Sequence, residues 1–243
     1  MVRAVHELTL RMRRAVNRLG LDVVPFRHTR HPIARRQALF SHHAIDLVLD
    51  VGGNVGQYGR FLRNVGYGGR ILSFEPLSDA FRILQQTASR DPKWDVVRTA
   101  VGDRVGTVEL NISLNSESSS ILPMLSSHLA VSPESRYVGS EAVPLTTLEE
   151  ILRTVAAERH IFLKVDTQGY ERTVIEGAGE ALSRIRGAQL EISLVPLYEG
   201  EALLPEIVSF MSSRGLTLMG LEPGFSDAQT GQLLQVDGLF FRG

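Results

Sequence analysis

A glycine-rich turn between an apolar segment and an amphipathic segment is the feature that most constrains how this chain can fold. Residues 50–56 carry the sequence DVGGNVG and follow the apolar run 45–49. They precede residues 58–65, in which apolar side chains recur at the spacing of one helix face. The pattern predicts strand, tight turn and helix. This junction in an open α/β sheet binds nucleotide-like ligands.

The acid at the end of the predicted first strand, Asp50, limits which ligand this junction can take. The pyrophosphate of a dinucleotide would meet a like charge there, which a crevice of low dielectric makes unfavourable. S-adenosylmethionine carries a sulfonium and an ammonium, so a carboxylate favours it. We therefore predict S-adenosylmethionine as the cofactor.

Length and composition are those of one α/β domain. The chain has 243 residues, of which 43% are hydrophobic. No apolar run reaches the roughly 20 residues that cross a bilayer. Cysteine is absent, which excludes a disulfide scaffold, a thiolate metal site and a cysteine nucleophile. We expect a cytoplasmic protein without a secretory signal, because no continuous apolar segment follows the charged N-terminal residues.

The charge of the chain is unevenly distributed. Residues 1–43 contain nine Arg against Glu7 and Asp22, a balance of +7, so residues 44–243 carry −8 of the net charge of −1. We predict a basic helical extension over 1–43 and a single α/β domain, which would bind the cofactor, over 44–243. The apolar face of the helix predicted in the extension would consist of Val5, Leu8, Met12, Val16 and Leu19. The extension either packs on the domain or covers its cleft, or it contacts anionic lipid or nucleic acid.

Strand and helix patterns alternate along the domain. We predict strands at 45–51, 70–74, 95–101, 161–165, 190–195, 216–221 and 234–241. The short connection between the last two predicts a hairpin and an antiparallel final strand. Helices are predicted near 56–65, 81–88, 147–155, 171–182 and 203–211.

The alternation breaks between about residues 104 and 146. Residues 107–113 read as an extra strand, residues 115–120 are polar and serine-rich, and residues 121–140 show no clear period. A connection of this length is a candidate substrate loop or lid.

Residues in the glycine turn are candidates for cofactor binding. Gly52, Gly53 and Gly56 allow a tight turn and a close approach of the backbone to a ligand. Asn54 is a candidate for the methionine portion, although it may serve only to stabilise the turn.

Two further acids follow predicted strands. Glu75 ends the second strand before Pro76, where a carboxylate can accept both ribose hydroxyls. Asp103 follows the third strand and is either a contact for the adenine amino group or a turn acid.

A second cluster surrounds the end of the predicted fourth strand. Asp166 lies at its carboxyl end, beside the first strand, which places it near the reacting group of the cofactor. Lys164 lies on the same strand face and is a further catalytic candidate, with a structural Asp–Lys pair as the alternative. Glu171 lies in the first turn of the next helix, where the helix dipole also favours an acid.

These motifs together resemble those of the FkbM methyltransferases. The resemblance covers about residues 45–240 and rests on residues 50–56, 74–76, 100–103 and 164–171. It implies a Rossmann-like class I methyltransferase fold: α/β, with a seven-stranded, mostly parallel sheet in the order 3-2-1-4-5-7-6. The last strand would be antiparallel, and helices would cover both faces.

The resemblance also implies S-adenosylmethionine as methyl donor and a hydroxyl acceptor, such as that of a polyketide or a sugar. It assigns cofactor roles to Asp50, Gly52, Asn54, Gly56 and Glu75. It places Asp166 and Glu171 at the fourth-strand positions of the family. Many members carry Glu where this chain has Gln168, and Gln cannot act as a base.

We therefore expect an O-methyltransferase that acts on a sugar hydroxyl of a glycolipid or a secondary metabolite. An alcohol is a poor nucleophile until its proton leaves, so a base is needed. Asp166 is the first candidate and Glu171 the second. His128 lies in the insertion, and His160 precedes its strand, at the wrong end of the sheet. A divalent ion on Asp166 and Glu191 is an alternative, but two carboxylates do not define a site, and we predict none.

Three other functions stay open at this point. They are a nicotinamide-dependent oxidoreductase, a nucleic-acid methyltransferase that uses the arginine-rich extension, and a non-catalytic cofactor-binding protein. We expect no nucleic-acid partner, because residues 44–243 are acidic overall. Peripheral contact with the inner face of a membrane through residues 1–43 remains an expectation, and the oligomeric state is open.

Overall fold

The computed structural model describes residues 13–14, 16–155 and 160–243. They fall into two compact units that divide between His42 and His43. The first unit contains an α-helix over Pro32–His42. Val5, Leu8 and Met12 of the predicted apolar face lie outside the described residues, and Leu19 of that face is exposed.

The described part of the second unit contains ten strands. They are β1 Leu47–Val51, β2 Arg70–Phe74, β3 Trp94–Val97, β4 Ala100–Gly102, β5 Gly106–Ser113, β6 Tyr137–Thr147, β7 Ile161–Val165, β8 Ile185–Ser193, β9 Thr217–Pro223 and β10 Gln235–Phe241. The α-helices span Gln57–Asn64, Ser78–Ala88, Ser126–Val131, Leu148–Thr154, Glu171–Glu176 and Leu204–Ser213. Short 3₁₀ helices span Pro133–Ser135 and Gly179–Arg184.

Seven strands form one sheet in the order β3-β2-β1-β7-β8-β10-β9. Counted along the chain within this sheet, the order is 3-2-1-4-5-7-6. Strand β10 is antiparallel to both neighbours, and the other paired strands run parallel. The predicted class I methyltransferase fold is therefore confirmed.

The central strands β1 and β7 carry the core of the sheet. All five residues of each strand are buried, as expected for parallel strands covered on both faces. Their register sets Asp50 opposite Lys164, one residue before β1 ends. The pairing thus brings two charged residues together inside the sheet, close to its carboxyl edge.

Three predicted boundaries were wrong. The strand predicted over 95–101 divides, because Trp94–Val97 pairs with β2 whereas Ala100–Gly102 pairs with β6. The helix predicted over 171–182 ends at Glu176. The next residue, Gly177, packs so closely that a Cβ atom would lie 1.9 Å from the carbonyl oxygen of Gly102. Strand β8 begins at Ile185, five residues before the predicted start.

The insertion folds into a second sheet rather than an irregular loop. Strand β6 pairs antiparallel with β5 and parallel with β4. Leu110, Val143 and Leu145 of these strands pack with Leu77 and Ala80 at the start of helix Ser78–Ala88. The predicted extra strand is thus present, and it is fixed at the edge of the cavity described below.

No helix among the described residues is long and apolar enough to cross a membrane.

Candidate active site at the carboxyl ends of β1, β2 and β7

A cavity of about 440 Å³ lies at the carboxyl ends of three neighbouring parallel strands. Residues 51–54 after β1, 74–77 after β2 and 166–168 after β7 line it. The insertion contributes Leu110 and residues of its serine-rich tract. The sheet topology thus brings sequence motifs that are more than 100 residues apart along the chain into one cavity wall. Ligands bind at this edge in open α/β sheets.

The glycine turn after β1 shapes this wall with its backbone. The N–H groups of Gly52 and Gly53 both donate to the carbonyl of Phe74, at 3.0 and 2.9 Å. Gly52 has a φ of +78°, and a Cβ atom there would lie 1.9 Å from the carbonyl oxygen of Asp166. Gly56 does not line the cavity and precedes helix Gln57–Asn64 with a φ of +92°. The close approach of Gly52 to the turn after β7 therefore requires glycine at that position.

Asn54 offers an acceptor to the cavity. Its backbone N–H donates to Glu75 Oε2 at 2.8 Å, and its Nδ2 lies 3.5 Å from Ser116 Oγ. Its Oδ1 is buried and has no hydrogen-bond partner within the protein. A buried acceptor of this kind is costly unless a ligand or water satisfies it.

Glu75 is buried in the cavity wall, next to Pro76. Its carboxyl accepts from the backbone N–H groups of Asn54 (2.8 Å) and Leu77 (2.9 Å). Burial raises the pKa of Glu75 to about 7, although both hydrogen bonds oppose the shift. A carboxylate has about four lone-pair positions, so Glu75 can still accept from two ligand hydroxyls.

Asp50 lies within the sheet rather than in the cavity wall. It is fully buried, is not among the lining residues, and accepts from Ser73 Oγ at 2.7 Å. Its Oδ1 lies 3.4 Å from Lys164 Nζ. The expectation that Asp50 faces the ligand directly is not supported, because its side chain does not line the cavity. Lys164 already compensates its charge.

Lys164 joins the turns after β1 and β7. Its Nζ donates to the carbonyl of Gly52 at 3.0 Å and lies 3.2 Å from Asp166 Oδ2. Burial alone would lower the pKa of Lys164. The carboxylates of Asp166 and Asp50 raise it by more than burial lowers it, so the pKa of Lys164 lies above its usual value. Lys164 is thus a fixed cation that also lines the cavity.

Asp166 reaches the cavity with a side chain that is 36% exposed. Its Oδ1 accepts from Gln168 Nε2 at 2.9 Å, and the same Nε2 donates to Glu191 Oε2. Gln235 Nε2 donates to that Glu191 oxygen at 3.1 Å. Burial, with the nearby carboxylate of Asp166 as a further cause, raises the pKa of Glu191. One face of the cavity therefore carries two carboxyl groups joined by an amide.

Glu171 holds its own loop together and does not line the cavity. Its Oε1 accepts from the backbone N–H groups of Thr167 (2.8 Å) and Gly169 (3.3 Å) and from Thr167 Oγ1. Burial raises the pKa of Glu171 to about 7. Its predicted role as a second base is not supported by this position.

Three other candidates lie away from the cavity. Asp103 is exposed and pairs with Arg104 at 3.1 Å, so the predicted adenine contact has no support in this geometry. His128 is buried against Tyr198 and Phe225. His160 precedes β7, at the amino end of the sheet as predicted.

Several cavity residues were not predicted from the sequence. Tyr58 donates to Gln189 Oε1 at 3.1 Å, and its ring lies 5.5 Å from Lys164 Nζ. Gln189 and Asp237 line the cavity from strands β8 and β10, and Asp237 is the register partner of Glu191. The available signal was a polar residue within an otherwise apolar strand.

The serine-rich tract is ordered by its own hydroxyl groups. Asn115 Nδ2 donates to Ser118 Oγ (3.0 Å) and Ser135 Oγ (3.1 Å), and the two hydroxyls lie 3.0 Å apart. Outside this network, Glu117 accepts from Gln57 Nε2 at 3.0 Å. Ser116, Glu117 and Ser119 line the cavity, so this tract forms part of its wall.

Across residues 13–14, 16–155 and 160–243, no group of three or more His, Asp or Glu side chains is arranged to hold a metal ion.

Comparison with known proteins gives one family match. The methyltransferase FkbM domain matches residues 50–218. The chain is also similar to the 2-O-methyltransferase NoeI of Sinorhizobium fredii (strain NBRC 101917 / NGR234). The two are 24% identical over 173 residues, which are 69% of this chain and 71% of that protein.

Solved structures with a similar fold include an rRNA methylase from Streptococcus thermophilus. It is 12% identical, with a TM-score of 0.46 and coverage of 88% of this chain and 98% of that one. Another is magnesium protoporphyrin IX methyltransferase from Synechocystis PCC 6803 with bound SAM. It is 11% identical, with a TM-score of 0.44 and coverage of 88% and 85%.

Proposed function

Because this chain belongs to the FkbM methyltransferase family, we propose that it transfers methyl from S-adenosylmethionine to a hydroxyl oxygen. The acceptor we propose is a sugar hydroxyl of a glycolipid or a secondary metabolite. The observation that carries this proposal is the single cavity that joins the glycine turn and Glu75 to the carboxyl groups of Asp166 and Glu191. Family membership favours methyl transfer over nicotinamide-dependent oxidation.

The wall near the glycine turn fits the cofactor. Its unpartnered Asn54 Oδ1 can accept from an ammonium group, and Glu75 retains acceptor positions for ribose hydroxyls. A Cβ atom on Gly53 would lie 3.1 Å from Ser73 Cβ and 3.2 Å from Leu84 Cδ2. This close packing leaves little room for a side chain in the turn beside the cavity. When bound, S-adenosylmethionine supplies an electrophilic methyl group.

Asp166 is the proposed base. It is a partly exposed carboxylate of the cavity, and Lys164 and Gln168 hold its two oxygens in place. A carboxylate in this setting can take the proton of an alcohol as the oxygen becomes a nucleophile. Holding the base and the acceptor in one cavity makes their encounter effectively unimolecular, which supplies much of the acceleration.

The remaining polar groups of the cavity favour a neutral polyol as acceptor. Glu117, Glu191 and Asp237 supply carboxyl groups, while Ser116 and Gln189 supply groups that both donate and accept. Sugar hydroxyls can satisfy both kinds of partner. An anionic acceptor would meet like charge, which a low-dielectric site makes unfavourable. The 2-O-methyltransferase activity in the name of the relative NoeI also supports an oxygen acceptor.

Incubation of the purified chain with methyl-labelled S-adenosylmethionine and a lipid or glycan extract tests this function. We expect label in a neutral glycosylated product. Acid hydrolysis of its glycosidic bonds should release a labelled O-methyl sugar. Calorimetry with the cofactor alone supplies a separate measurement. Cofactor binding without labelling of any acceptor pool would favour the non-catalytic alternative, and labelled RNA would favour a nucleic-acid methyltransferase.

We further propose that the N-terminal unit brings the enzyme to an anionic membrane. Leu19, Leu21 and Phe26 are exposed by 76%, 63% and 61%. Exposed arginines flank them, among them Arg14, Arg18, Arg27 and Arg30. The one acid among residues 13–31, Asp22, is already paired with Arg13. Apolar side chains between free positive charges suit an interface with anionic lipid.

Vesicle co-sedimentation tests the membrane contact. We expect binding to vesicles of phosphatidylcholine mixed with phosphatidylglycerol, weakened by salt, and little binding to phosphatidylcholine alone. The double variant Leu21→Ser/Phe26→Ser should bind roughly tenfold less tightly. Val105→Ser/Val138→Ser, which changes exposed apolar residues of the other unit, is the matched control. Equal binding to both vesicle types would contradict the proposal.

A further inference from the structure

The side chain of Gln168 lies between two carboxyl groups of the cavity. Its Nε2 donates to Asp166 Oδ1 at 2.9 Å and to Glu191 Oε2. Gln168 itself is buried, has a φ of +57°, and lines the cavity. A neutral amide thus supplies both of the donors that hold the carboxyl pair together on this side.

The orientation of this amide is determined by its surroundings. Its Oε1 accepts from Tyr198 Oη at 2.7 Å, and its backbone carbonyl accepts from Ser120 Oγ at 2.7 Å. Rotation of the amide by 180° would place its oxygen against Asp166 and Glu191, which are themselves acceptors. The amide therefore directs its N–H groups at the carboxyl pair and cannot exchange these roles without losing both contacts.

Holding two carboxyl groups close together in a partly buried site requires positive charge or hydrogen-bond donors between them. A divalent cation does this in many proteins with oxygen ligands. In this chain the N–H groups of Gln168 take that position, and Gln235 Nε2 adds a third donor to Glu191 at 3.1 Å. The amide donors thus engage the Asp166 and Glu191 oxygens that face each other, where a bridging cation would bind.

We propose that Gln168 is a positioning residue that replaces a bridging divalent cation, so that Asp166, with Glu191 held beside it, takes the proton of the acceptor hydroxyl without a metal. This inference rests on the proposed methyl transfer to a hydroxyl. In the step concerned, the O–H bond of the acceptor breaks as its oxygen takes the methyl group, and its proton is held on the Asp166 carboxylate. The electron pair of the broken methyl–sulfur bond stays with the neutral thioether product. Glu191 remains beside it as a second carboxyl that the same amide keeps in place.

Metal titration provides a test that does not need a known acceptor. The isosteric variant Gln168→Glu places a third carboxylate between Asp166 and Glu191 and removes the donors. We expect calorimetry with Mg²⁺ or Mn²⁺ alone to show no saturable binding to the wild type and saturable binding to Gln168→Glu. Saturable binding of either metal to the wild type at this site, abolished in Asp166→Asn, would overturn the proposal.

Turnover gives the second measurement. Wild-type turnover should change by less than about twofold when a chelator is added. Turnover of Gln168→Glu should fall roughly 10- to 100-fold in chelator, the size of a lost hydrogen bond to a charged group, and recover in part with Mg²⁺. Wild-type activity that is lost in chelator and restored by Mg²⁺ would also contradict the proposal.

A pH profile separates positioning from general structural support. Gln168→Met keeps the length of the side chain but removes its N–H donors, which favour the ionised carboxylates. We expect the acid limb of kcat to move upward by about one pH unit, with cofactor affinity unchanged within about threefold. Tyr198→Phe, which removes only the hydroxyl that orients the amide, should move it in the same direction by less. An unchanged profile in Gln168→Met would sink the proposal.

If the wild type transfers no methyl group to any acceptor, the proposed function fails, whereas the metal titration still decides whether Gln168 takes the place of a cation. The two failures are therefore distinguishable.

Discussion

The turns after the neighbouring strands β1 and β7 shape the same cavity with different parts of the chain. The turn after β1, residues 52–56, has no charged side chain, and the backbone N–H groups of Gly52 and Gly53 converge on one carbonyl. The turn after β7, residues 166–171, presents an acid and an amide to the cavity and buries a second acid beneath them. The first turn therefore provides space and backbone polarity, and the second provides the carboxyl and amide groups to which we assign the chemistry.

The two turns nevertheless depend on each other. Gly52 approaches the carbonyl of Asp166 so closely that no side chain fits between them, and Lys164 Nζ donates to the carbonyl of Gly52. A change in the backbone turn should therefore reach the carboxylate of Asp166, the proposed base. A change in the side chains after β7 should leave the turn after β1 intact. The following predictions test this asymmetry, from the largest expected effect to the smallest.

Asp166→Asn should abolish chemistry while preserving the backbone turn. The amide cannot take a proton, so we expect kcat to fall about 10²- to 10⁴-fold, the usual contribution of a general base. Cofactor affinity, measured by calorimetry, should stay within about threefold. Asp79→Asn, at an acid that is almost fully exposed, is the control and should behave as the wild type. Intact turnover of Asp166→Asn at saturating substrate would show that the base lies elsewhere.

Lys164→Met should destabilise both turns together, because it leaves Asp50 buried without its cation. Loss of one partner of a buried ion pair costs about 3–5 kcal/mol in free energy of unfolding. Urea denaturation measures this change. The double variant Asp50→Asn/Lys164→Met removes the uncompensated charge and should recover a large part of the loss. If the double variant is no more stable than Lys164→Met, the pairing of Asp50 with Lys164 does not determine stability here.

Gly52→Ala should show how tightly the turns are joined. Its φ is +78°, and the added Cβ would lie 1.9 Å from a backbone oxygen, so we expect a loss of roughly 2–4 kcal/mol in free energy of unfolding. Gly66→Ala is the matched control, since Gly66 has a φ of +90° but no atom within 4 Å of an added Cβ. That variant should lose only about 1 kcal/mol. Equal losses would mean that the close approach to Asp166 carries no cost.

The buried carboxyls Glu75 and Glu171 should make stability depend on pH. Burial raises the pKa of each to about 7, whereas in the unfolded chain each loses its proton near its ordinary pKa of 4.5. Between these values the folded chain binds more protons than the unfolded chain, so the free energy of unfolding falls as pH rises through this window. Above about pH 7 this contribution is constant.

Glu171→Gln isolates one of these carboxyls, since the amide oxygen can keep the contacts to Thr167 and Gly169. The slope of stability against pH between pH 5.5 and 7 should be shallower in the variant by about 1 kcal/mol per pH unit. Urea denaturation at several pH values measures it. Identical slopes would indicate that Glu171 is ionised throughout this range in the folded chain.

Much of the fold could be predicted from local patterns. Predicted strands 70–74 and 161–165 agree with β2 and β7, because alternation and apolar runs report burial, and burial follows from each segment's own sequence. Boundaries failed where a segment changes partners. The split of the strand predicted over 95–101 depends on β6, more than 40 residues away, and no local period records such a partner.

The candidate site was predicted in outline and not in its contacts. Glu75 and Asp166 both line the cavity, because carboxyl ends of parallel strands meet at one edge of the sheet. Asp50 and Glu171 are also acids beside that edge, yet one is compensated by Lys164 and the other is engaged by the backbone of its own loop. Which acid faces a cavity depends on side-chain directions and partners, and spacing along the chain does not reveal them.

The sequence by itself determined the class of fold, the family and the pair of turns that build the cavity, because glycine positions and apolar periods constrain the backbone directly. The tertiary structure alone decided which carboxyl groups line the cavity. Strand register set Asp50 against Lys164, and the packing of Tyr198 turned the Gln168 amide toward Asp166 and Glu191. Charge and hydrogen bonding act through space over a few ångströms, so their outcome depended on which distant segments met.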